Sequence, residues 1–397
     1  MLAFYPGGGI ARFARRIPGA GYNCSMSEKL LGGIGASRFL RVHWQRRPLL
    51  VRQAIPRFEG PLSADALFAL AARDDVESRL VLRERGRWSL AHGPFRKSER
   101  HALPARNWTL LVQGVNLHVA AADALLRRFD FLPYARLDDL MVSYAAPGGG
   151  VGPHFDSYDV FLLQGFGRRL WRTSRQRELA LRPRLPLRIL ARFRPQRSWL
   201  LAPGDMLYLP PRVAHDGIAV DACTTYSIGF RAPAAQELAI AFLDWLRDRL
   251  ELEGGYADRD LAPTTEPARI GEAMRAKAAA LLRGVRWEKR AIEEFLGAYL
   301  TEPKATVRFD RPSRPLAGAR FRRTAARRGL CLNARTQLLY DERNLFVNGE
   351  AMALPRHGAE AVRKLANARR LRGRDLRRGA PFPLLYRWYR DGFLRFG

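Results

Sequence analysis

The sequence predicts a mainly β domain, followed by a helical region and a small α+β domain. Residues 37–233 contain many short β-rich runs separated by glycine and proline, such as WTLLVQGV, WLLAPGDMLYLPP and TTYSIGFRAP. Such a series is typical of an all-β sandwich or barrel. Helical spacing of apolar residues begins after Pro233, and the pattern changes again after Pro303. These two changes predict the boundaries between the folded parts.

Residues 234–302 repeat apolar side chains at the spacing of amphipathic helices, in AAQELAIAFLDWLRDRLE and WEKRAIEEFLGAYLTE. This apolar surface exceeds what one helical layer on a β domain needs, so we expect helices of two chains to pack together as a homodimer. The alternative is that these helices only cap the β domain and dock the last domain. Residues 303–397 combine strand candidates, an Asn348-Gly349 turn and two helices, which predicts a small winged-helix-like domain.

Residues 1–36 are predicted to form an N-terminal extension. The beginning of this segment is rich in glycine and arginine without periodicity, and Met26 opens MSEKLLGG like a second start. We therefore expect a disordered tail or a start-site artefact. No apolar run reaches the ~18 residues of a membrane span, and the N-terminus lacks the apolar centre of a signal peptide. A cytoplasmic protein without a membrane partner is expected.

The net charge of +30 indicates a polyanionic partner, because a basic surface concentrates phosphate groups around it. However, arginine supplies 62 of the 68 cationic side chains, and GC-rich coding produces the same skew without selection for binding. Both interpretations stay open at this point.

The segment GPHFDSYDVFLLQ places His154 and Asp156 two residues apart at the start of a β-rich run. Residues i and i+2 of a strand point to the same face, so we expect these side chains to project side by side into the barrel. A carboxylate buried there alone would be costly, and a metal ion removes that cost. An HxD pair by itself is a weak signal, but a Gly-rich lead-in and the continuous β pattern after it strengthen the case.

His215 is the expected third ligand, because it follows a Pro-Gly-Asp turn and a short apolar strand in PGDMLYLPPRVAH. Two imidazoles and one carboxylate leave three coordination positions open, the arrangement of non-haem Fe(II) oxygenases. That arrangement calls for a bidentate cosubstrate and dioxygen. The other histidines lack a comparable partner and are expected to be surface or core residues: His43, His92, His101, His118 and His357.

The motifs GGGVGPHFDSYDVFLLQGFGRRLWR, NWTLLVQ, DDLMVSYA, PGDMLYLPP and TYSIGFRAP resemble the bacterial ribosomal oxygenases of the Jumonji-C/cupin class. The resemblance implies a double-stranded β-helix (jelly-roll, cupin) catalytic core, a helical dimerisation region and a C-terminal winged-helix-like domain. It also implies Fe(II) and 2-oxoglutarate dependence, and hydroxylation of an arginine of the large-subunit ribosomal protein L-16. In this family pattern, His154, Asp156 and His215 match the iron triad.

Arg169, in the GRRLW strand, matches the family residue that pairs with the distal carboxylate of 2-oxoglutarate. The planar fork of a guanidinium suits that task, but Arg168 is adjacent and alternation does not decide which of the two points inward. Ser227, in TTYSIGF, is similar to a hydroxyl that holds the same carboxylate, and an ordinary strand serine is the alternative. Asp138, Asp139 and Asp159 could receive a substrate guanidinium, although Asp159 could equally accept a turn amide.

The sequence therefore predicts an Fe(II)- and 2-oxoglutarate-dependent dioxygenase that hydroxylates an arginine of a large-subunit ribosomal protein. Two alternatives remain: a cupin metalloenzyme that does not use 2-oxoglutarate, and a non-enzymatic ribosome- or RNA-binding protein. The arginine-rich segment TSRQRELALRPRLPLRILARFRPQRSW departs from the family, in which acidic residues are common at this place. This departure changes the expected charge of the substrate-facing loops without touching the predicted ligands.

Overall fold

The structure is a computed structural model that describes residues 29–376 and 379–397. Most of the predicted N-terminal extension, including Met26, lies outside the described residues. The last part of that extension is packed, because the Leu30 and Leu31 side chains are buried in the core of the β domain. The fold therefore begins before Ser37, and the tail prediction does not apply to this stretch.

The β domain is built from eleven strands and four α-helices in the part of the chain that the structure describes. The strands are β1 (Leu49–Val51), β2 (Ser78–Glu84), β3 (Arg87–His92), β4 (Trp108–Val112), β5 (Leu137–Ala145), β6 (Val160–Gln164), β7 (Arg169–Ser174), β8 (Arg197–Leu201), β9 (Met206–Leu209), β10 (Ala214–Ala219) and β11 (Cys223–Phe230). The helices are α1 (Ala36–Val42), α2 (Ala64–Ala71), α3 (Lys97–His101) and α4 (Ala120–Leu126).

The strands form two antiparallel sheets. The larger sheet has the order β1-β9-β6-β11-β5-β4-β2-β3, and the smaller has the order β10-β7-β8. One core lies between the larger sheet and the helices. A second core lies between the sheets and contains Val160, Leu162, Trp171, Leu201, Leu207, Leu209 and Val213. Alternate residues of the central strands therefore face two different apolar layers, which explains why β6 reads as a continuous apolar run.

The helical region contains α5 (Ala235–Arg247), α6 (Glu272–Leu282) and α7 (Lys289–Thr301). Phe242 of α5 packs against Phe295 of α7, with ring centroids 5.2 Å apart. Helix α7 also lies directly on the last domain, because Gly297 leaves space for the ring of Phe346. No described helix is both long enough and apolar enough to cross a membrane.

The C-terminal domain has the predicted mixture of helices and short strands. Its elements are α8 (Gly318–Arg328), β12 (Leu330–Leu332), β13 (Leu338–Tyr340), β14 (Asn344–Val347), β15 (Glu350–Ala353), α9 (Ala359–Ala368), β16 (Arg370–Leu371), α10 (Phe382–Arg390) and β17 (Leu394–Phe396). Asn348 and Gly349 join β14 to β15 with positive φ at both residues, which is the backbone that an Asn-Gly hairpin turn requires. Phe321, Leu385 and Trp388 are buried at the centre of this domain.

Candidate active site

His154, Asp156 and His215 lie together in the β domain. One ligand atom from each side chain lies within 4.8 Å of the others, and Nε2 of His215 is 3.6 Å from Oδ2 of Asp156. The predicted strand through His154 and Asp156 is wrong, because only a single bridge is present there: the backbone N–H groups of His154 and His215 donate to each other's carbonyl oxygens. This bridge brings the two imidazoles together, with ring centroids 4.2 Å apart, and Asp156 lies beside them outside any strand.

Each imidazole is oriented by a backbone carbonyl. Nδ1 of His154 is 2.8 Å from the carbonyl oxygen of Gly152, and Nδ1 of His215 is 2.9 Å from that of Val213. These bonds fix the Nδ1 edge of each ring and leave the Nε2 edges available, as in metal sites whose outer partners set the tautomer. Burial, reinforced by the neighbouring His154, lowers the pKa of His215 to about 4. His215 is therefore neutral near pH 7, the form that binds a metal.

Arg169 is buried and points toward the same compartment as His215. Strand β7 pairs with β10 so that Thr173 lies opposite His215 and Arg169 lies opposite Ala219. Directly paired residues share a face of the sheet and alternate residues repeat it, so Arg169, Trp171 and Thr173 face the same way as His215. Arg168 leaves the opposite face, where its Nε is 2.8 Å from Oδ2 of Asp221 at the surface.

The Arg169 side chain has no acidic partner in the structure. Within the described residues, its Nε and Nη2 atoms are buried without a hydrogen-bond acceptor, and so is Nε1 of the adjacent Trp171. Buried N–H groups are rarely left without an acceptor, and a buried guanidinium even less often. These donors therefore mark a place for a ligand that carries acceptor oxygens.

Ser227 lies on β11 opposite Leu162 of β6, a residue of the core between the sheets. Its side chain therefore faces the same interior layer as Trp171, and only 8% of its surface is exposed. This position is compatible with the predicted contact to a ligand carboxylate.

Asp138 and Asp139, which we call the acidic rim, lie at the start of β5 beside a side chain that the sequence did not indicate. Nζ of Lys304 is 3.6 Å from Oδ1 of Asp138 and 3.4 Å from Oδ2 of Asp139. Although burial acts to lower it, the carboxylates of Asp139 and Asp138 raise the pKa of Lys304. Lys304 lies in the connection that follows α7, so the segment between the helical region and the last domain contributes a cation to the acidic rim.

Tyr158 connects these acidic residues with the predicted ligands. A methyl group at Gly229 would lie 3.8 Å from Oδ1 of Asp139 and 4.0 Å from Cε2 of Tyr158, so both side chains lie along Gly229. Burial raises the pKa of Tyr158, and the carboxylate of Asp156 adds to this effect, as do those of Asp139 and Asp138. The Tyr158 side chain is therefore near both the ligand carboxylate and the acidic rim.

Asp159 is not part of this entrance. It is fully buried on the other side of the larger sheet, where it accepts hydrogen bonds from Tyr208 Oη at 2.5 Å and Gln45 Nε2 at 3.1 Å. Nη2 of Arg136 lies 3.5 Å away. The prediction that Asp159 could receive a substrate guanidinium is therefore wrong. Asp159 is a structural acceptor, but its donors are two side chains rather than the turn amide that the sequence suggested.

Two facing antiparallel sheets that enclose two histidines, one aspartate and a buried arginine define a JmjC domain of the cupin type. The JmjC domain family matches residues 124–238, and the ROXA-like winged helix family matches residues 284–395. The chain belongs to the JmjC-domain ribosomal oxygenases. The predicted family and fold class are thereby confirmed.

Similar proteins include characterised members of this family. The ribosomal protein uL16 3-hydroxylase of Escherichia coli is 43% identical over 236 residues, which cover 58% of this chain and 62% of that protein. A probable ribosomal oxygenase of Haemophilus influenzae is 36% identical over half of each chain. These alignments span less than two thirds of the relatives' length. The solved structure of E. coli YcfD with cobalt and 2-oxoglutarate is 32% identical, has a TM-score of 0.77, and aligns over 91% of this chain and 98% of its own.

Proposed function

We propose that this chain is an Fe(II)- and 2-oxoglutarate-dependent dioxygenase that hydroxylates an arginine side chain of the large-subunit ribosomal protein uL16. The observation that carries the proposal is the buried Arg169 without an acceptor, on the same sheet face as His215. A relative named as a uL16 3-hydroxylase and a similar structure that holds 2-oxoglutarate support it. A cupin metalloenzyme without this cosubstrate would have no evident use for that buried guanidinium.

The donor set fits Fe(II). His154, Asp156 and His215 supply two imidazole nitrogens and one carboxylate, and three protein ligands leave coordination positions of Fe(II) for further ligands. The carbonyls of Gly152 and Val213 hold the imidazoles in the orientation that a metal requires. Bound together, Fe(II) and 2-oxoglutarate would supply the activation of O2 and the insertion of one oxygen atom into a C–H bond.

The buried donors fit the cosubstrate. Arg169 would hold the distal carboxylate of 2-oxoglutarate through its guanidinium fork, with the hydroxyl of Ser227 as a second donor. Leu162, Leu207 and Leu209 form apolar walls between the sheets, which would disfavour water in the region that the ligand would occupy. The contribution of the protein is therefore to orient the cosubstrate and to keep solvent away from it.

The acidic rim would receive the substrate arginine. The carboxylates of Asp138 and Asp139 already hold the cation of Lys304, and a substrate guanidinium could share or replace it. The ring of Tyr158, which is near both this rim and Asp156, would cover the aliphatic part of the substrate side chain. This arrangement would place the carbons of an arginine, rather than its charged end, next to the metal.

The helical region would form a homodimer. Fifteen large apolar side chains are exposed among the described residues, and twelve of them lie between Ile240 and Leu296. Apolar surface concentrated in this way indicates a protein interface. The helices of a second copy of the chain would cover this apolar surface in a two-fold arrangement. With a ribosomal protein as substrate, we also infer a cytoplasmic location and transient contact with ribosomal RNA.

The proposal is tested by measuring succinate formation from 2-oxoglutarate in the presence of Fe(II), with and without a uL16 peptide that contains the target arginine. We expect peptide-dependent succinate formation, which is lost when arginine in the peptide is replaced by norleucine. Turnover of the peptide without 2-oxoglutarate would favour the cupin alternative, and no turnover under either condition would contradict the proposed activity.

A further inference from the structure

The connection between β7 and β8, residues 175–196, has a large excess of positive over negative side chains. We call it the basic loop. It contains seven arginines and one acidic residue, Glu178. All seven arginines are exposed: Arg175, Arg177, Arg182, Arg184, Arg188, Arg192 and Arg194. Only Arg192 forms an ion pair within the described residues, a long contact of 3.9 Å to Glu178. Six guanidinium groups are therefore exposed without an ion-pair partner among the described residues.

The basic loop is ordered by its own hydrogen bonds. The backbone N–H of Arg182 donates to the carbonyl of Ile189, and that of Ala191 donates to Ala180, both at 2.8 Å. The side chain of Gln176 joins the two ends of the loop, because it donates to the carbonyl of Arg192 and accepts from the N–H of Arg194. A preformed array of cations loses less conformational entropy on binding than a flexible one.

The same loop is attached to the segment that carries the predicted metal ligands. The N–H of Leu190 donates to the carbonyl of Pro153 at 2.8 Å, one residue before His154. The side chain of Ile189 packs against Gly152, where an added Cβ would lie 3.0 Å from Cδ1 of Ile189. The exposed arginines are therefore held beside the candidate active site rather than at a distant surface.

We propose that the basic loop binds the phosphate backbone of RNA next to the active site, so that the preferred substrate is a ribosomal protein already bound to ribosomal RNA. This inference rests on the proposed function. A free basic substrate would be repelled by seven exposed arginines, whereas a protein whose basic surface is covered by RNA presents phosphates to them. Arginine forks bind phosphate oxygens in a bidentate manner, and such contacts are sequence-independent.

The first test measures the affinity of the full chain for a fluorescein-labelled short RNA duplex at several salt concentrations. Replacing Arg177, Arg182 and Arg188 together by glutamine removes three charges from exposed side chains that form no ion pair. We expect the affinity at low salt to fall by about tenfold or more, and the slope of log affinity against log salt to decrease in magnitude by about two to three.

A matched control removes three exposed arginines from the C-terminal domain. Arg320, Arg323 and Arg327 of α8 also lack ion pairs in the described structure, and their replacement by glutamine changes the net charge equally. This control should keep its RNA affinity within about twofold of wild type. An equal loss of RNA affinity in both triple variants would overturn the proposal, because it would show that the affinity depends on net charge alone. Displacement of RNA by polyglutamate at equal charge concentration would also overturn it.

The second test compares two substrates. For wild type, kcat/KM should be higher for uL16 bound to its ribosomal RNA fragment than for a short uL16 peptide, and the triple loop variant should lose only this advantage. An advantage that survives in the loop variant would contradict the role of the loop. Failure of the proposed function is a different outcome, because then neither substrate is hydroxylated while RNA affinity is still measurable.

Discussion

Arg169 and His215 lie on the same inward face of the three-stranded sheet, although they belong to different strands. The register between β7 and β10 creates this relationship, since it pairs Ala219 with Arg169 and Thr173 with His215. An anion held by Arg169 would therefore extend into the compartment of His154, Asp156 and His215.

Replacing Arg169 by methionine should weaken the binding of 2-oxoglutarate. The change removes the only guanidinium that points into the compartment from β7 and leaves the distal carboxylate unpaired, which costs about 2 kcal/mol or more. The apparent affinity should fall by at least about tenfold, since 1.4 kcal/mol corresponds to a factor of ten. Titration of the Co(II)-loaded protein with 2-oxoglutarate measures this change, and Co(II) binding itself should stay nearly unchanged.

Arg168→Met is the matched control for that measurement. Arg168 is exposed and pairs with Asp221, so its loss removes only a surface ion pair. Its 2-oxoglutarate affinity should equal that of wild type. If Arg168→Met weakened 2-oxoglutarate binding and Arg169→Met did not, the assignment of the inward face would be reversed.

Replacing Asp156 by alanine should abolish metal binding while the fold is retained. The side chain of Asp156 is 22% exposed and makes no hydrogen bond to any of the residues that the structure describes. Its backbone carbonyl accepts from the N–H of Arg212, and a substitution of the side chain keeps this bond. Calorimetric titration with Co(II) should show no high-affinity site, and the far-ultraviolet circular dichroism should match wild type. Near-normal Co(II) affinity in this variant would remove Asp156 from the ligand set.

Replacing Asp138 by asparagine should raise KM for a uL16 peptide without a large change in kcat. Asp138 lies on the rim, half-exposed, with Lys304 and Arg231 as its partners, so the variant loses a partner for the substrate guanidinium rather than a ligand of the metal. A loss of about 1 kcal/mol corresponds to a rise in KM of about fivefold. Asp221→Asn, a surface carboxylate on the far side of β7, should leave KM unchanged. An equal effect of both substitutions would exclude a specific role for the rim.

The homodimer proposal predicts a dimeric mass by light scattering at micromolar concentration. Ile240→Glu and Leu243→Glu together should yield a monomer, because both side chains are more than half exposed on α5 and charged groups oppose burial at an interface. Leu200→Glu, at an exposed apolar position on β8, should keep the dimeric mass. A monomeric mass for wild type would contradict the proposal.

The sequence predicted the fold class and the candidate ligands because both depend on local patterns. Each β-rich run could be recognised from its own residues. A histidine and an aspartate two residues apart are an unusual pair just before a buried strand. The His154 to His215 bridge could not be predicted, since it joins a residue outside any strand to the start of β10, which is remote in sequence. The inward direction of Arg169 likewise depends on pairing with β10, not on alternation within β7.

Asp159 and Lys304 show two ways in which the sequence alone misassigns site residues: Asp159 was wrongly included, and Lys304 was missed. Asp159 resembled a site residue because it is near His154 in sequence, but its partners Gln45 and Tyr208 come from distant parts of the fold. Lys304 carried no local signal, and its role follows only from a contact with Asp139 across 165 residues. A lysine after Pro303 at the end of a helix is indistinguishable from a solvated one until the domains are packed.

Tandem mass spectrometry of uL16 shows directly whether this chain hydroxylates an arginine of that protein. Ribosomes would be isolated from cells that lack other enzymes of this kind and express either the wild-type chain or its Asp156→Ala variant. We expect the mass of one additional oxygen atom on an arginine of uL16 with the wild-type chain, and unmodified arginine with the variant. Unmodified uL16 in both samples, or an oxygen located on a residue other than arginine, would contradict it.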